Sequence, residues 1–193
     1  PERPLWYPGA SAKMDRATEA YPDALVLGDR LLVEPTADDA DALNSTEYFA
    51  PVLGVVTVGG TGQSFLDAAV DYANERLQGT LGANLLIDPV TEKSLGSGFE
   101  RAVARLRYGS IAINSWTAFG FIIPTLTWGA YPGNTIDEVG SGIGVVHNAL
   151  LLDSVERSII RGPFRPFPRS LPGLNGGGRF TILPTPPWFV SSR

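Results

Sequence analysis

Between residues 52 and 114 the chain alternates short apolar runs with stretches that carry one apolar face at helical spacing. Strands are predicted at 52–58, 82–88 and 110–114, and helices at 62–77 and 99–106. The run 52–58 is almost continuously apolar, which is typical of a strand buried on both faces. Because connections between parallel strands cross over in a right-handed sense, this order predicts an α/β fold with three layers: a mostly parallel sheet with helices on both faces.

The flanking sequence predicts smaller elements around this core. A helix is expected from Ser11 to Tyr21, two short strands around a turn within residues 24–34, and one more short helix at 153–161. Prolines and glycines are frequent beyond residue 162, with one strand-like patch at 179–183. We therefore predict an α/β domain over residues 1–162 and an extended C-terminal arm over residues 163–193.

The composition narrows the class of function. The chain has 193 residues and a formal net charge of -5, so it lacks the basic balance that binding to nucleic acid phosphates requires. No apolar run is long enough to span a membrane and no signal peptide is recognisable, so we expect a cytoplasmic protein without a membrane partner. There is no cysteine, which excludes a thiol nucleophile within this chain.

The strongest candidate for a functional position is Glu47, in the segment 44–58 that leads into the first predicted core strand. Polar residues precede this glutamate, and Tyr48, Phe49 and Pro51 follow it before the apolar run begins. A carboxylate at the mouth of a buried strand lies where α/β sheets commonly meet their ligands. The segment therefore indicates that Glu47 takes part in ligand binding.

Other polar or glycine-rich features have simpler interpretations. The glycine loop 59–62 suits either an anion site or a turn, and a turn is favoured because the spacing of a P-loop is missing. A structural turn is likewise favoured for Gly-Ser-Gly-Ile-Gly at 140–144, because no apolar strand precedes it. His147 is predicted to be a hydrogen-bonded histidine rather than a catalytic base. No metal-ligand spacing is present, and a solvated acidic loop is expected at Asp38, Asp39 and Asp41.

A family resemblance begins at Glu47. The run Glu47-Tyr48-Phe49-Ala50-Pro51-Val52 resembles the Glu-x-Phe-Gly-Pro-Val signature of the aldehyde dehydrogenase superfamily. Ala73-Asn74 followed by residues 79–83 is similar to the family's Ala-Asn-(four residues)-Gly-Leu-x-Ala. Residues 106–114 look like its Leu-x-x-Gly-x-x-x-x-Asn turn from helix to strand, and residues 141–144 match its Ser-Gly-Ile-Gly. All these motifs follow in the family's order.

The resemblance implies the second half of the family's catalytic domain. The family oxidises an aldehyde to an acid through a cysteine thioester, with hydride transfer to NAD or NADP. Carried over to this sequence, Glu47 binds the hydroxyls of the nicotinamide ribose and Phe49 packs against the nicotinamide. Ala50 stands where the family has glycine, and residues 124–134 stand where it has Pro-Phe-Gly-Gly. Because the cysteine and the cofactor domain are not in this chain, we expect it to be inactive by itself and to bind NAD(P) weakly.

Two interpretations follow. In the favoured one, residues 1–162 are a partial catalytic domain of an aldehyde-dehydrogenase-like oxidoreductase, whose partners are the missing N-terminal cofactor domain and further copies of the same protein. The arm, with its patch at 179–183, is then the candidate for oligomerisation. In the alternative, the chain is a non-enzymatic module derived from that fold that binds a partner through its C-terminal half, which is rich in aromatic residues and proline.

Overall fold

The computed structural model describes residues 5–164, and the contacts of the chain divide it into two compact units, residues 1–80 with 91–107 and residues 81–90 with 108–193. The first unit contains α1 (Ala10–Ala20), β1 (Leu25–Leu27), β2 (Arg30–Val33), α2 (Asp41–Asn44), β3 (Val52–Gly54), α3 (Gly62–Glu75) and α5 (Ser97–Arg105). Helix α4 (Pro89–Leu95) has residues in both units. The second unit contains β4 (Gly82–Leu85), β5 (Ser110–Ile113), α6 (Phe119–Ile122), β6 (Trp128–Gly129), β7 (Val145–Val146) and β8 (Ser158–Arg161). The α/β class is therefore confirmed, with small and mostly parallel sheets. The prediction of one sheet through the strands at 52–58, 82–88 and 110–114 is wrong, because β3 pairs with β2 in one sheet whereas β4 and β5 pair in another.

The sheet of the first unit consists of the predicted hairpin and one further strand. Strands β1 and β2 pair antiparallel, and β3 runs parallel to β2. The hairpin turns at Gly28, whose φ of 64° is a conformation that glycine adopts without steric cost. Helix α1 covers one face of this sheet through a core of Ala17, Leu31 and Val33. The hairpin predicted within residues 24–34 is confirmed.

The strand predicted at 52–58 is shorter and more exposed than expected. Pairing with β2 covers Val52–Gly54, and β3 lies at the edge of its sheet. Leu53, on the face that points away from the core of the unit, is 63% exposed. The prediction of a strand buried on both faces is therefore wrong for β3. The physical reason is that β3, as an edge strand, pairs with one strand only, and that α1 covers the face of the sheet with Leu31 and Val33, opposite the face of Leu53.

The second unit contains a parallel sheet in the order β4-β5-β8. All four residues of the central strand β5 are buried. Residues 158–161 pair with β5 as a strand, so the helix predicted at 153–161 is wrong. Ile159 and Ile160 are β-branched and suit a strand, whereas Ser154 has a φ of 51° that no α-helix accommodates. Strands β6 and β7 form a separate antiparallel pair in this unit.

Helices α1, α3 and α5 agree with the predicted helices to within a few residues, whereas the short helices α2, α4 and α6 were not predicted. Helix α1 begins after Gly9 rather than at Ser11, and α3 and α5 lie where the predicted helices at 62–77 and 99–106 were expected. The buried face of α5 is formed by Phe99, Ala102 and Val103. The predicted arm lies outside the described residues except at 163 and 164, and its patch at 179–183 lies entirely outside them. Within residues 5–164, no helix has the length and apolar character to cross a membrane.

Candidate functional site

The loop between α2 and β3 carries Glu47 and Phe49, and the first unit anchors it at both ends. At its start, the buried Asn44 donates from Nδ2 to the hydroxyl of Tyr72 at 2.7 Å. At its end, the backbone N–H of Leu31 donates to the carbonyl of Pro51 at 2.9 Å. Tyr48, in the middle, packs against the core of the unit. The loop is thus held in place while Glu47 and Phe49 remain exposed.

Phe49 adopts a conformation that large side chains rarely accept. Its φ is 44°, and its ring is 51% exposed. A left-handed backbone costs a non-glycine residue about 1–2 kcal/mol relative to a right-handed one. Ala50, where the family has glycine, does not take a positive φ, so alanine is compatible with the turn. Strained residues of this kind are frequent at functional sites, which makes Phe49 a candidate on structural grounds.

Two side chains that the sequence did not indicate surround the Phe49 ring. Lys13 on α1 donates from Nζ to the carbonyl of Glu47 at 2.7 Å, and the same nitrogen lies 5.6 Å from the centre of the Phe49 ring. On the neighbouring chain segment, the Tyr7 ring lies 4.8 Å from that of Phe49, with the planes tilted by 48°. Because 34 residues separate Lys13 from Glu47, no local spacing could have connected them.

The Glu47 carboxylate is exposed, and it forms no hydrogen bond or ion pair with any other residue between 5 and 164. Its oxygens are therefore available to accept hydrogen bonds from a ligand beside an exposed aromatic ring. The predicted location needs one correction. Glu47 precedes the amino end of β3, whereas parallel sheets generally bind ligands at the carboxyl ends of their strands. Its candidacy depends on exposure and on Phe49, and not on the rule for strand ends.

The pKa of Tyr48 shows how this loop is embedded. Burial raises the pKa of the Tyr48 phenol, while a hydrogen bond with the Thr46 side chain and the positive charge of Arg16 act in the opposite direction. The phenol is therefore neutral at physiological pH. Tyr48 anchors the loop as an uncharged side chain, and Arg16 supplies a second cation near it in addition to Lys13.

Two asparagines of the aldehyde-dehydrogenase-like motifs satisfy backbone groups within their own units. Asn74 on α3 donates from Nδ2 to the carbonyl of Arg105 and accepts from the N–H of Arg107, both at 2.9 Å, and so caps the end of α5. Asn114, directly after β5, accepts from the N–H of Ile87 and donates to its carbonyl, again both at 2.9 Å. These motif positions therefore have clear structural roles.

The motif glycine at 109 also has a structural role, but not the predicted one. A glycine three residues after the predicted helix at 99–106 is typical of the left-handed residue that ends a helix, so the sequence predicts this role for Gly109. Helix α5 already ends at Arg105, and Gly109 has no positive φ. A Cβ at position 109 would lie 1.9 Å from the carbonyl oxygen of Gly129. The absence of a side chain permits this close backbone contact within the second unit, and the predicted helix cap is wrong.

The remaining glycine-rich features form turns and caps. In the loop 59–62, the N–H of Thr61 donates to Ser64 Oγ at 3.2 Å, so this hydroxyl satisfies a backbone donor at the start of α3. Residues 140–144 form a turn, as predicted, and Asn134 donates from Nδ2 to the carbonyl of Gly142 at 2.7 Å. This turn borders a small cleft of about 190 Å³ in the second unit.

His147 and the acidic loop agree with the simpler interpretations. His147 Nε2 lies 3.0 Å from the carbonyl oxygen of Phe121, so its hydrogen bond is confirmed. Asp38, Asp39 and Asp41 are all exposed, and Asp41 pairs with Arg76 at 2.8 Å. In the part of the chain that the structure describes, no three His, Asp or Glu side chains are grouped so that they could hold a metal ion.

Comparison with known proteins adds no further assignment. The chain matches no protein-family model, and no curated protein matches its sequence.

Proposed function

We propose that this chain is the C-terminal part of an aldehyde-dehydrogenase-like oxidoreductase of the cytoplasm that oxidises an aldehyde to an acid with NAD or NADP. The cysteine nucleophile and the cofactor domain of that enzyme belong to protein outside these 193 residues. Within the chain, Glu47 and Phe49 form the part of the cofactor site that contacts the nicotinamide end. The chain by itself has no nucleophile for the reaction and is inactive.

One observation carries this proposal: an exposed carboxylate without a partner among the described residues lies in the same loop as an aromatic residue, two positions later, that is half exposed on a strained backbone. Exposing half of a phenylalanine ring forgoes the stabilisation of burial, and the left-handed φ of Phe49 adds to the cost. Both costs are accounted for if the ring packs against a ligand. A ribose with two adjacent hydroxyls, attached to a cationic aromatic ring, matches an acceptor next to an apolar face.

The residues would act by binding and orientation. Glu47 accepts hydrogen bonds from the ribose hydroxyls, and charge-assisted bonds of this kind contribute about 1.5–3 kcal/mol each. Phe49 covers one face of the nicotinamide and excludes water from it. The cofactor supplies the hydride acceptor when it is bound. Fixing the ribose and one ring face sets the orientation from which hydride transfer proceeds.

Exposed apolar surface supports the proposed partners. In the first unit, the sheet face opposite α1 carries Leu25 and Leu53, which are 52% and 63% exposed. Strands of α/β domains are generally covered on both faces. We assign this face to contact with the missing domain or with a further copy of the protein. Burying it would contribute roughly 25 cal/mol for each Å² of apolar surface removed from water.

Nicotinamide riboside tests the proposal on the chain as it exists, because this compound contains only the groups that Glu47 and Phe49 would contact. We expect weak binding, with a dissociation constant of about 1 mM, or about −4 kcal/mol. In an NMR titration of the amide resonances, the shifts should be centred on residues 46–50. Nicotinamide alone, which lacks the ribose hydroxyls that Glu47 would bind, should shift these resonances much less at the same concentration. Resonance shifts that exclude residues 46–50, or no shifts at riboside concentrations well above ~1 mM, would contradict the proposal.

The coding sequence that precedes Pro1 provides an independent test of the parent enzyme. A dinucleotide-binding domain and a cysteine segment encoded upstream are expected. A start codon directly before Pro1 would instead favour the alternative, a non-enzymatic module. That alternative is supported by the exposed apolar side chains of the second unit, of which Leu150 and Leu151 are more than four-fifths exposed. Such a module would bind its partner through this surface, whether or not the riboside binds.

A further inference from the structure

Lys13 is positioned to contribute to the same ligand site as Glu47 and Phe49. Its side chain extends from α1 to the loop, where Nζ lies 2.7 Å from the Glu47 carbonyl oxygen and 5.6 Å from the centre of the Phe49 ring. An ammonium group has three donors, and the carbonyl takes one of them. The positive charge is therefore fixed beside the aromatic ring with donors left for a further acceptor.

The surroundings of Lys13 favour an anion next to a flat aromatic ligand. The rings of Tyr7 and Phe49 lie 4.8 Å apart and are both more than half exposed. Arg16 lies one helical turn after Lys13 on α1, and residues at this spacing share a helix face. The charge of Arg16 acts on the Tyr48 phenol in the same loop. Lys13 thus lies beside the exposed ring, and Arg16 is a second cation of α1 whose charge acts on the loop at Tyr48.

We infer that Lys13 binds the phosphate attached to the nicotinamide ribose, so that the loop and α1 together take a nicotinamide mononucleotide moiety. This inference rests on the proposed function and adds the ligand's phosphate to it. Glu47 binds the two ribose hydroxyls, and Phe49 packs against the nicotinamide. The phosphate on the 5′ carbon of the ribose then binds the Lys13 ammonium next to the Phe49 ring. Lysine is a common phosphate ligand because its ammonium acts as a compact point charge.

The contribution of Lys13 is measured by comparing nicotinamide mononucleotide with nicotinamide riboside, which differ by the phosphate. The titrations use the full chain in a buffer without phosphate. We expect the mononucleotide to bind about three- to tenfold more tightly than the riboside, because an exposed charge pair is a weak interaction and a charge-assisted hydrogen bond is somewhat stronger. The variant Lys13→Met should bind both compounds with the affinity of the riboside.

Two further variants separate the charge from the structural role of the side chain. Lys13→Arg keeps the charge and should keep most of the preference for the mononucleotide. Lys93→Met removes an exposed lysine from α4 and should leave the preference unchanged. The amide resonances of residues 46–50 in each variant report whether the loop keeps its conformation.

The possible results distinguish this inference from the proposed function. If the riboside binds at residues 46–50 but the mononucleotide binds no more tightly, or if Lys13→Met keeps the preference, the role of Lys13 is overturned and the proposed function stands. If Lys13→Met weakens both compounds equally, Lys13 supports the loop and does not contact the phosphate, which also overturns the inference. If neither compound binds at this loop, both fail together.

Discussion

Replacing Asn114 tests whether a motif residue of the second unit is a structural brace. Its side chain makes two hydrogen bonds to Ile87, one to the N–H and one to the carbonyl, both at 2.9 Å. Its φ is 52°, a left-handed conformation that asparagine tolerates better than alanine. Asn114→Ala removes both bonds at about 1 kcal/mol each and adds about 1 kcal/mol of backbone strain. We expect the second unit to lose about 3 kcal/mol of stability.

Native-state hydrogen exchange followed by NMR measures this loss of stability at the backbone amide of Ile87. A loss of about 3 kcal/mol corresponds to a fall of roughly a hundredfold in the protection of the Ile87 amide. The variant Asn114→Asp is a partial control, because it keeps an oxygen acceptor for that amide and suits a left-handed backbone but cannot donate to the Ile87 carbonyl. We expect Ile87 to stay substantially protected in Asn114→Asp. Equal protection in wild type and Asn114→Ala, or equal losses in both variants, would refute the bracing role.

Further predictions follow from polar groups in the second unit and from the missing thiol. Ser158→Ala leaves the buried N–H of Thr127 without its 3.2 Å partner and should cost about 1–3 kcal/mol of stability in urea unfolding. Ser110→Ala removes a buried hydroxyl that has no partner among the described residues, so this variant should be neutral or slightly stabilising in the same assay. A larger loss of stability in Ser110→Ala than in Ser158→Ala would contradict this prediction. Burial raises the pKa of Tyr108 above 10.0, so the unfolded chain releases this proton first, and the contribution of Tyr108 to stability should be constant below about pH 10 and fall at higher pH. Tyr108→Phe should therefore lose less stability above about pH 10 than the wild type, and equal pH slopes of the two proteins would contradict this. The isolated chain should not reduce NAD or NADP with any aldehyde, because it contains no cysteine; measurable turnover would show that another nucleophile acts.

Local structure was predictable where short-range rules decide it. The hairpin at β1 and β2 needs a glycine at its turn, which Gly28 provides, and α3 and α5 follow from apolar residues at helical spacing. The buried strand β5 follows from its apolar run. In each case the residues that determine the element lie within one turn or one strand of each other.

The assembly of the strands was not predictable in the same way. Which strand pairs with which depends on contacts between distant residues, and the β-branched pair Ile159 and Ile160 was assigned to a helix although it supplies the third strand of the second sheet. The run 52–58 is apolar enough for a central strand, yet β3 lies at an edge. The apolar character of a segment indicates that it favours burial, but it does not indicate which other part of the protein covers it.

The candidate site was predictable in part. Glu47 and Phe49 belong to one short motif, so the sequence indicates both as candidates. The left-handed φ of Phe49 had no signal in the sequence, because phenylalanine rarely adopts this conformation. Lys13 and Tyr7 come from separate segments and meet the loop only in the fold. The candidate site thus combines residues of one local motif with side chains from distant parts of the sequence, and only the fold brings the latter into contact.

The affinity of Glu47→Gln for nicotinamide riboside tests the central claim most directly. A neutral amide keeps the shape of the side chain but weakens each hydrogen bond to the ribose by about 1 kcal/mol. For the two hydroxyls together this is about 2 kcal/mol, so the dissociation constant should rise about thirtyfold. Glu19→Gln, which makes the same change on an exposed residue of α1, should leave it within about twofold, the spread allowed for a surface substitution. An unchanged dissociation constant for Glu47→Gln, with the riboside still bound, would contradict the assignment of this carboxylate to the ribose.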